Sequence, residues 1–81
     1  MTTEEIYAAI APVAQEVLDI PKFDESVTMM STPVWDSLAH VRLLSALERN
    51  LGVEIDADEA FKLTSAAKLV RYLVTITEAR A

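Results

Sequence analysis

Asp36-Ser37-Leu38-Ala39-His40-Val41-Arg42-Leu43-Leu44-Ser45-Ala46-Leu47-Glu48-Arg49-Asn50-Leu51-Gly52 is the stretch whose reading decides the fold. At about 100° per residue, Leu43, Leu44, Leu47 and Leu51 share one arc, and His40 falls among them. That arc is the core face of a helix. Leu38, Val41, Arg42, Ser45 and Arg49 fall on the opposite side, with Glu48 near its edge. Either Asp36 or Ser37 can serve as N-cap, and Gly52 stops the helix at its C-terminus. The predicted helix runs from Ser37 to Leu51.

Toward the N-terminus, Thr2 followed by Glu5 fits a capping box, so a helix is expected to start at Thr2 or Thr3. Ile6, Ile10, Val13 and Val17 form its expected buried stripe. Pro12 lies inside that pattern and predicts a kink near Ala8 to Ala11. Ile20-Pro21 is expected to end the helix, because the residue before a proline is pushed out of helical geometry. A long connection to about Asp36 follows, with Val27, Met29 and Met30 as expected anchors and Trp35 expected to pack it onto the core. Connections of that length inside a compact domain are often functional.

Toward the C-terminus, a short turn is expected near Asp58 to Lys62, with Phe61 packing it onto the bundle. A last helix starts after Thr64-Ser65 and runs to about Thr77, with Leu69, Val70, Leu73 and Ile76 facing inward. No stretch alternates long enough for a strand; Val53 to Asp56 comes nearest. With one glycine and three prolines in 81 residues, helix-breaking signals are few. The fold class is therefore all-α: a small four-helix bundle of three main helices and one short one, with residues 1–81 as a single domain.

The net charge is −6, from 13 acidic against 7 basic residues, and no basic run offsets it. Such a chain is repelled by phosphate backbones, so no nucleic acid and no anionic membrane surface is expected as partner. Absence of cysteine removes disulfides, thiolate metal sites and thiol nucleophiles. The acidic start Met1-Thr2-Thr3-Glu4-Glu5 is unlike a signal peptide, and the longest apolar run, Tyr7 to Ala14, is far too short to span a bilayer. A cytoplasmic, monomeric protein is expected. One histidine and scattered carboxylates offer no metal-binding set and no acid–base pair around a nucleophile, so catalytic residues are expected to be absent.

Ser37 has two readings on the residues alone. It can be a cap, or it can be an exposed hydroxyl at the end of a long loop, near free amides and the positive end of a helix. The second arrangement suits a phosphodiester. A protein-interaction module that is never modified, docking partners through Leu38 and Val41, would need only the first.

The sequence resembles the acyl carrier protein family. Asp36-Ser37-Leu38 matches the motif whose serine receives 4′-phosphopantetheine. The likeness extends through Val41 to Glu48, Leu51-Gly52-Val53-Glu54-Ile55, Asp58-Glu59-Ala60 and Leu63-Thr64-Ser65 to Tyr72-Leu73. The resemblance implies that a phosphopantetheinyl transferase attaches the arm from coenzyme A to Ser37, with Asp36 positioning that serine. The arm then carries an acyl or aminoacyl group as a thioester between loading and using enzymes. The exposed face of the helix from Ser37 to Leu51, with Leu38, Val41, Arg42, Ser45, Glu48 and Arg49, is expected to be the partner surface. Carriers of fatty-acid synthesis have acidic residues where this chain has Ala39, Arg42 and Arg49, and a glycine two before the aspartate. That departure points to a specialised polyketide, nonribosomal-peptide or sugar-modification pathway.

Overall fold

The computed structural model describes residues 1–80, and within them four helices follow one another: α1 (Thr3–Leu18), α2 (Ser37–Leu51), α3 (Ala57–Ala60) and α4 (Ala66–Arg80). The capping box at the start of α1 forms as the spacing predicts. The Thr2 amide donates to Glu5 Oε1 at 2.8 Å, and the Glu5 amide donates to Thr2 Oγ1 at 3.2 Å. Hydrogen bonding by Thr2, its amide foremost, holds the Glu5 carboxyl below the usual carboxylate range. The helix runs on through Pro12 and stops at Leu18, two residues before the predicted Ile20. Asp19 turns left-handed there (φ 54°), and the amides of Asp19 and Ile20 both return to the Gln15 carbonyl. α2 ends the same way at Gly52 (φ 65°), whose amide and that of Val53 return to Glu48. Glycine takes that conformation freely, whereas aspartate at 19 is one of the few other residues that tolerate it.

α1 packs chiefly on α2 and secondarily on α4. Its fully buried residues are Ile6, Ile10, Ala14 and Leu18. The expected stripe is corrected in its second half: Val13 and Val17 are only half-buried. A strict four-residue spacing carries the buried line onto Ala14, where a small side chain lets the helices approach.

The connection from Asp19 to Asp36 is held by two aromatic residues. Phe23 and Trp35 are buried, at 4% and 1% exposure. Of the three expected anchors, Val27 and Met29 are half-buried, but Met30 is almost wholly exposed. Backbone bonds from Met29 to the Thr64 carbonyl and from Ala66 to the Val27 carbonyl clip this connection to the start of α4. That clip turns Met29 inward and leaves Met30 outside. Between α2 and α3, Val53 and Ile55 point inward in extended chain without forming a strand.

Leu47 is fully buried, while Leu38 and Val41 are 60% and 57% exposed, so α2 divides into the faces its sequence predicts. Leu47→Ala is expected to cost about 2–5 kcal/mol of unfolding free energy in urea titration. Leu38→Ala and Val41→Ala should stay within about 0.5 kcal/mol, as exposed positions do. A loss at Leu38 matching that at Leu47 would overturn the face assignment.

Candidate functional site

The start of α2 is built by Asp36. Its backbone is extended, and its carboxylate accepts the Ala39 amide at 2.9 Å, while its carbonyl accepts the His40 amide at 2.8 Å. Asp36 is therefore the N-cap, and Ser37 is the first residue of the helix. The Ser37 side chain is exposed, and among the described residues its hydroxyl has no hydrogen-bond partner. Two donors of the first turn, the amides of Ser37 and Leu38, likewise have no partner there, because Asp36 satisfies only the next two. A helix start with free amides favours negative charge close by.

Trp35, two residues before this serine, is fixed at both its backbone and its ring. Its amide bonds the Thr32 carbonyl, and its indole Nε1–H donates to His40 Nδ1 at 3.0 Å. The other ring nitrogen of His40, Nε2, lies 2.8 Å from the Ala60 carbonyl. An indole nitrogen can only donate, so Nδ1 must accept and Nε2 must carry the proton that it donates to Ala60. This is a neutral imidazole in a single tautomer, buried at 5% exposure and satisfied at both nitrogens. The Phe23, Trp35 and His40 rings pack in succession at tilted angles, with centroids 6.0 Å and 5.9 Å apart. One residue of α2 thus ties the end of the loop to the end of α3, within one turn of Ser37.

The remaining residues of the expected face divide. Leu38, Val41, Arg42 and Arg49 are exposed and Ser45 is half-buried. Glu48 is half-buried, and its carboxylate accepts the Ile55 amide at 2.7 Å, which pins the α2–α3 connection. The expectation for Phe61 is corrected outright: it is 80% exposed. With Ala60 held to His40 through its carbonyl and a helix of only four residues, Phe61 caps α3 and points away from the bundle. Sequence reading passed over Phe23 and the Ala60 carbonyl. An aromatic residue two positions after Pro21 was a signal for the first, whereas a backbone oxygen leaves none.

Residues 35–73 match the family model described as a phosphopantetheine attachment site. An acyl carrier protein of Lactobacillus johnsonii (strain CNCM I-12250 / La1 / NCC 533) is 33% identical over 75 residues, spanning 90% of this chain and 94% of that relative. The chain belongs to the acyl carrier protein family. It is a carrier and not an enzyme, and the group its family attaches is 4′-phosphopantetheine. The start of α2 in this carrier fits that group. It offers an exposed hydroxyl, two free amides toward a phosphate, and an aspartate whose charge is turned back into its own helix. Among the described residues, no helix of the carrier is long and apolar enough to cross a membrane.

Proposed function

We propose that Ser37 is the attachment residue and that the carrier serves a specialised pathway, of polyketide, nonribosomal-peptide or sugar-modification type, in the cytoplasm. The observation that carries the first part is the exposed Ser37 hydroxyl at the first position of a helix capped by its neighbour. The Ser37 oxygen forms the phosphodiester bond to the pantetheine phosphate of coenzyme A, and the bond to the adenosine-bearing phosphate breaks. The serine proton passes to a base of the phosphopantetheinyl transferase. Asp36 fixes the serine by capping α2, and the Ser37 and Leu38 amides face the phosphate charge. Once attached, the arm supplies a terminal thiol that holds an acyl or aminoacyl group as a thioester.

The second part rests on charge. Arg42 and Arg49 stand on the exposed face of α2, where fatty-acid carriers present acids. Enzymes built to dock an acidic helix should therefore associate more slowly, because like charges at an interface lower the on-rate.

Intact mass tests both parts in sequence. Incubation with coenzyme A, magnesium and a broad-specificity transferase is expected to add one phosphopantetheine. Exposure of the product to malonyl-coenzyme A and a malonyl transferase of fatty-acid synthesis should then load it at least about tenfold more slowly than a carrier with an acidic helix. Absence of the first mass gain in the folded protein removes the attachment reading. Malonyl loading at the full rate removes the specialised pathway.

A further inference from the structure

Two basic residues of this acidic chain stand together without partners. Arg42 and Arg49 are seven positions apart on α2, so they lie on one line along the helix, about 10 Å from each other. Both are exposed, and among the described residues the ion pairs are Lys22–Asp24 and Lys62–Glu59, neither of which involves them. Glu48, the acid nearest on the same helix, has its carboxylate committed to the Ile55 amide. The face of α2 that leads away from Ser37 is therefore cationic, on a molecule whose net charge is −6.

The same arginines border a groove. Val13, Glu16 and Val17 of α1 line it on one side, and Arg42, Ala46 and Arg49 of α2 on the other. Val13 and Val17, displaced from the core by Ala14 and Leu18, are the half-buried apolar residues of that seam. Ala46, also half-buried, leaves the space between the two arginines low. Glu16 is a single acid on the opposite side, which leaves the lining with one positive charge in excess.

We propose that this α1–α2 seam docks an acidic amphipathic helix of an enzyme that loads or unloads the arm. That helix would place an apolar side chain in the groove and two carboxylates, seven residues apart, on Arg42 and Arg49. Two helices with charges at the same spacing match in register, and guanidinium–carboxylate pairs can be bidentate. Glu16 opposes any misaligned approach that brings a carboxylate to the α1 side. The inference rests on the carrier reading only for the identity of the partner as an arm-handling enzyme.

The test uses the full unmodified chain, labelled with ¹⁵N and titrated with two synthetic helical peptides of the same leucine pattern. One carries glutamates seven residues apart, the other lysines at the same places. The glutamate peptide is expected to shift the amides of Val13, Val17, Arg42, Ala46 and Arg49. Its affinity should fall roughly tenfold when salt is raised to about 1 M, where charges are screened beyond about 3 Å. The double variant Arg42→Glu, Arg49→Glu should lose those shifts while keeping the amide spectrum of a folded chain. Equal shifts of this seam by the lysine peptide, or no shifts there with the glutamate peptide, overturn the proposal. The phosphopantetheine mass gain of the parent chain, in which both arginines are intact, reports separately on the carrier reading.

Discussion

Ser37→Ala is expected to abolish the gain of phosphopantetheine completely and to leave thermal stability almost unchanged. The two halves of this result have different causes. The modification is lost because the oxygen that forms the phosphodiester is gone. The stability is kept because Asp36, not Ser37, caps α2, and because the serine hydroxyl is exposed and, among the described residues, without a partner. Alanine at a first-turn position is also a good helix former. Asp36→Ala should behave in the opposite way. It frees the Ala39 amide and removes the cap, at a cost of about 0.5–2 kcal/mol. At about 4–8 °C per kcal/mol for a domain of this size, the melting temperature should fall measurably. Modification of the Asp36 variant should be slowed and not abolished, since the oxygen remains while its position loosens. Intact mass and thermal melts on the two variants decide it. Mass gain in Ser37→Ala would move the attachment to another hydroxyl, and a melt as low as that of Asp36→Ala would make Ser37 a structural cap.

α2 was legible in the sequence because its signals agree: an aspartate at one end, the single glycine at the other, and leucines at helical spacing between. α1 was harder. Ile6 and Ile10 belong to either of two stripes, one continuing through Val13 and Val17, the other through Ala14 and Leu18. Both continuations are apolar, and only contact with α2 and α4 selects the second. The long connection hid its anchors for a related reason. Whether Met29 or Met30 turns inward is set by the clip between Thr28 and Ser65, a pairing between residues far apart in the chain. Phe61 shows the limit of periodicity, because four helical residues are too few to define a face. Glu48 shows the limit of charge patterning: an acid near the edge of the exposed arc can turn its carboxylate to a backbone amide instead of to solvent. The serine and its capping aspartate were readable, yet the bonds that hold the preceding Trp35 were not. The sequence suggests that Trp35 packs inward and places His40 on the core arc, but the bond between them and the Ala60 carbonyl beyond depend on the folded arrangement.

That linkage carries the largest expected stability effect in the molecule. Trp35→Ala should lower the unfolding free energy by about 3–5 kcal/mol, as removal of a fully buried aromatic side chain does. Domains of this kind hold only about 5–15 kcal/mol in total, so the variant should be close to the edge of folding at ambient temperature. Trp35→Phe separates the hydrogen bond from the volume. It keeps an aromatic ring beside Phe23 and His40 but leaves His40 Nδ1 as a buried acceptor without a donor, a loss of about 1–3 kcal/mol. His40→Leu strands two groups at once, the Trp35 indole N–H and the Ala60 carbonyl, and should cost at least as much. Combining Trp35→Phe with His40→Leu should cost less than the sum of the single changes by about 0.5–3 kcal/mol, because the second change has no bond left to break. Urea titration of the four proteins measures that coupling, and additive losses would mean that the indole–imidazole bond contributes nothing. A merely structural bond would leave modification of the folded variants unaffected. Trp35 directly precedes Asp36, however, so loosening it frees the cap that sets where α2 begins. The Trp35→Phe carrier, folded and below its melting temperature, should therefore accept phosphopantetheine more slowly than the parent at equal transferase concentration.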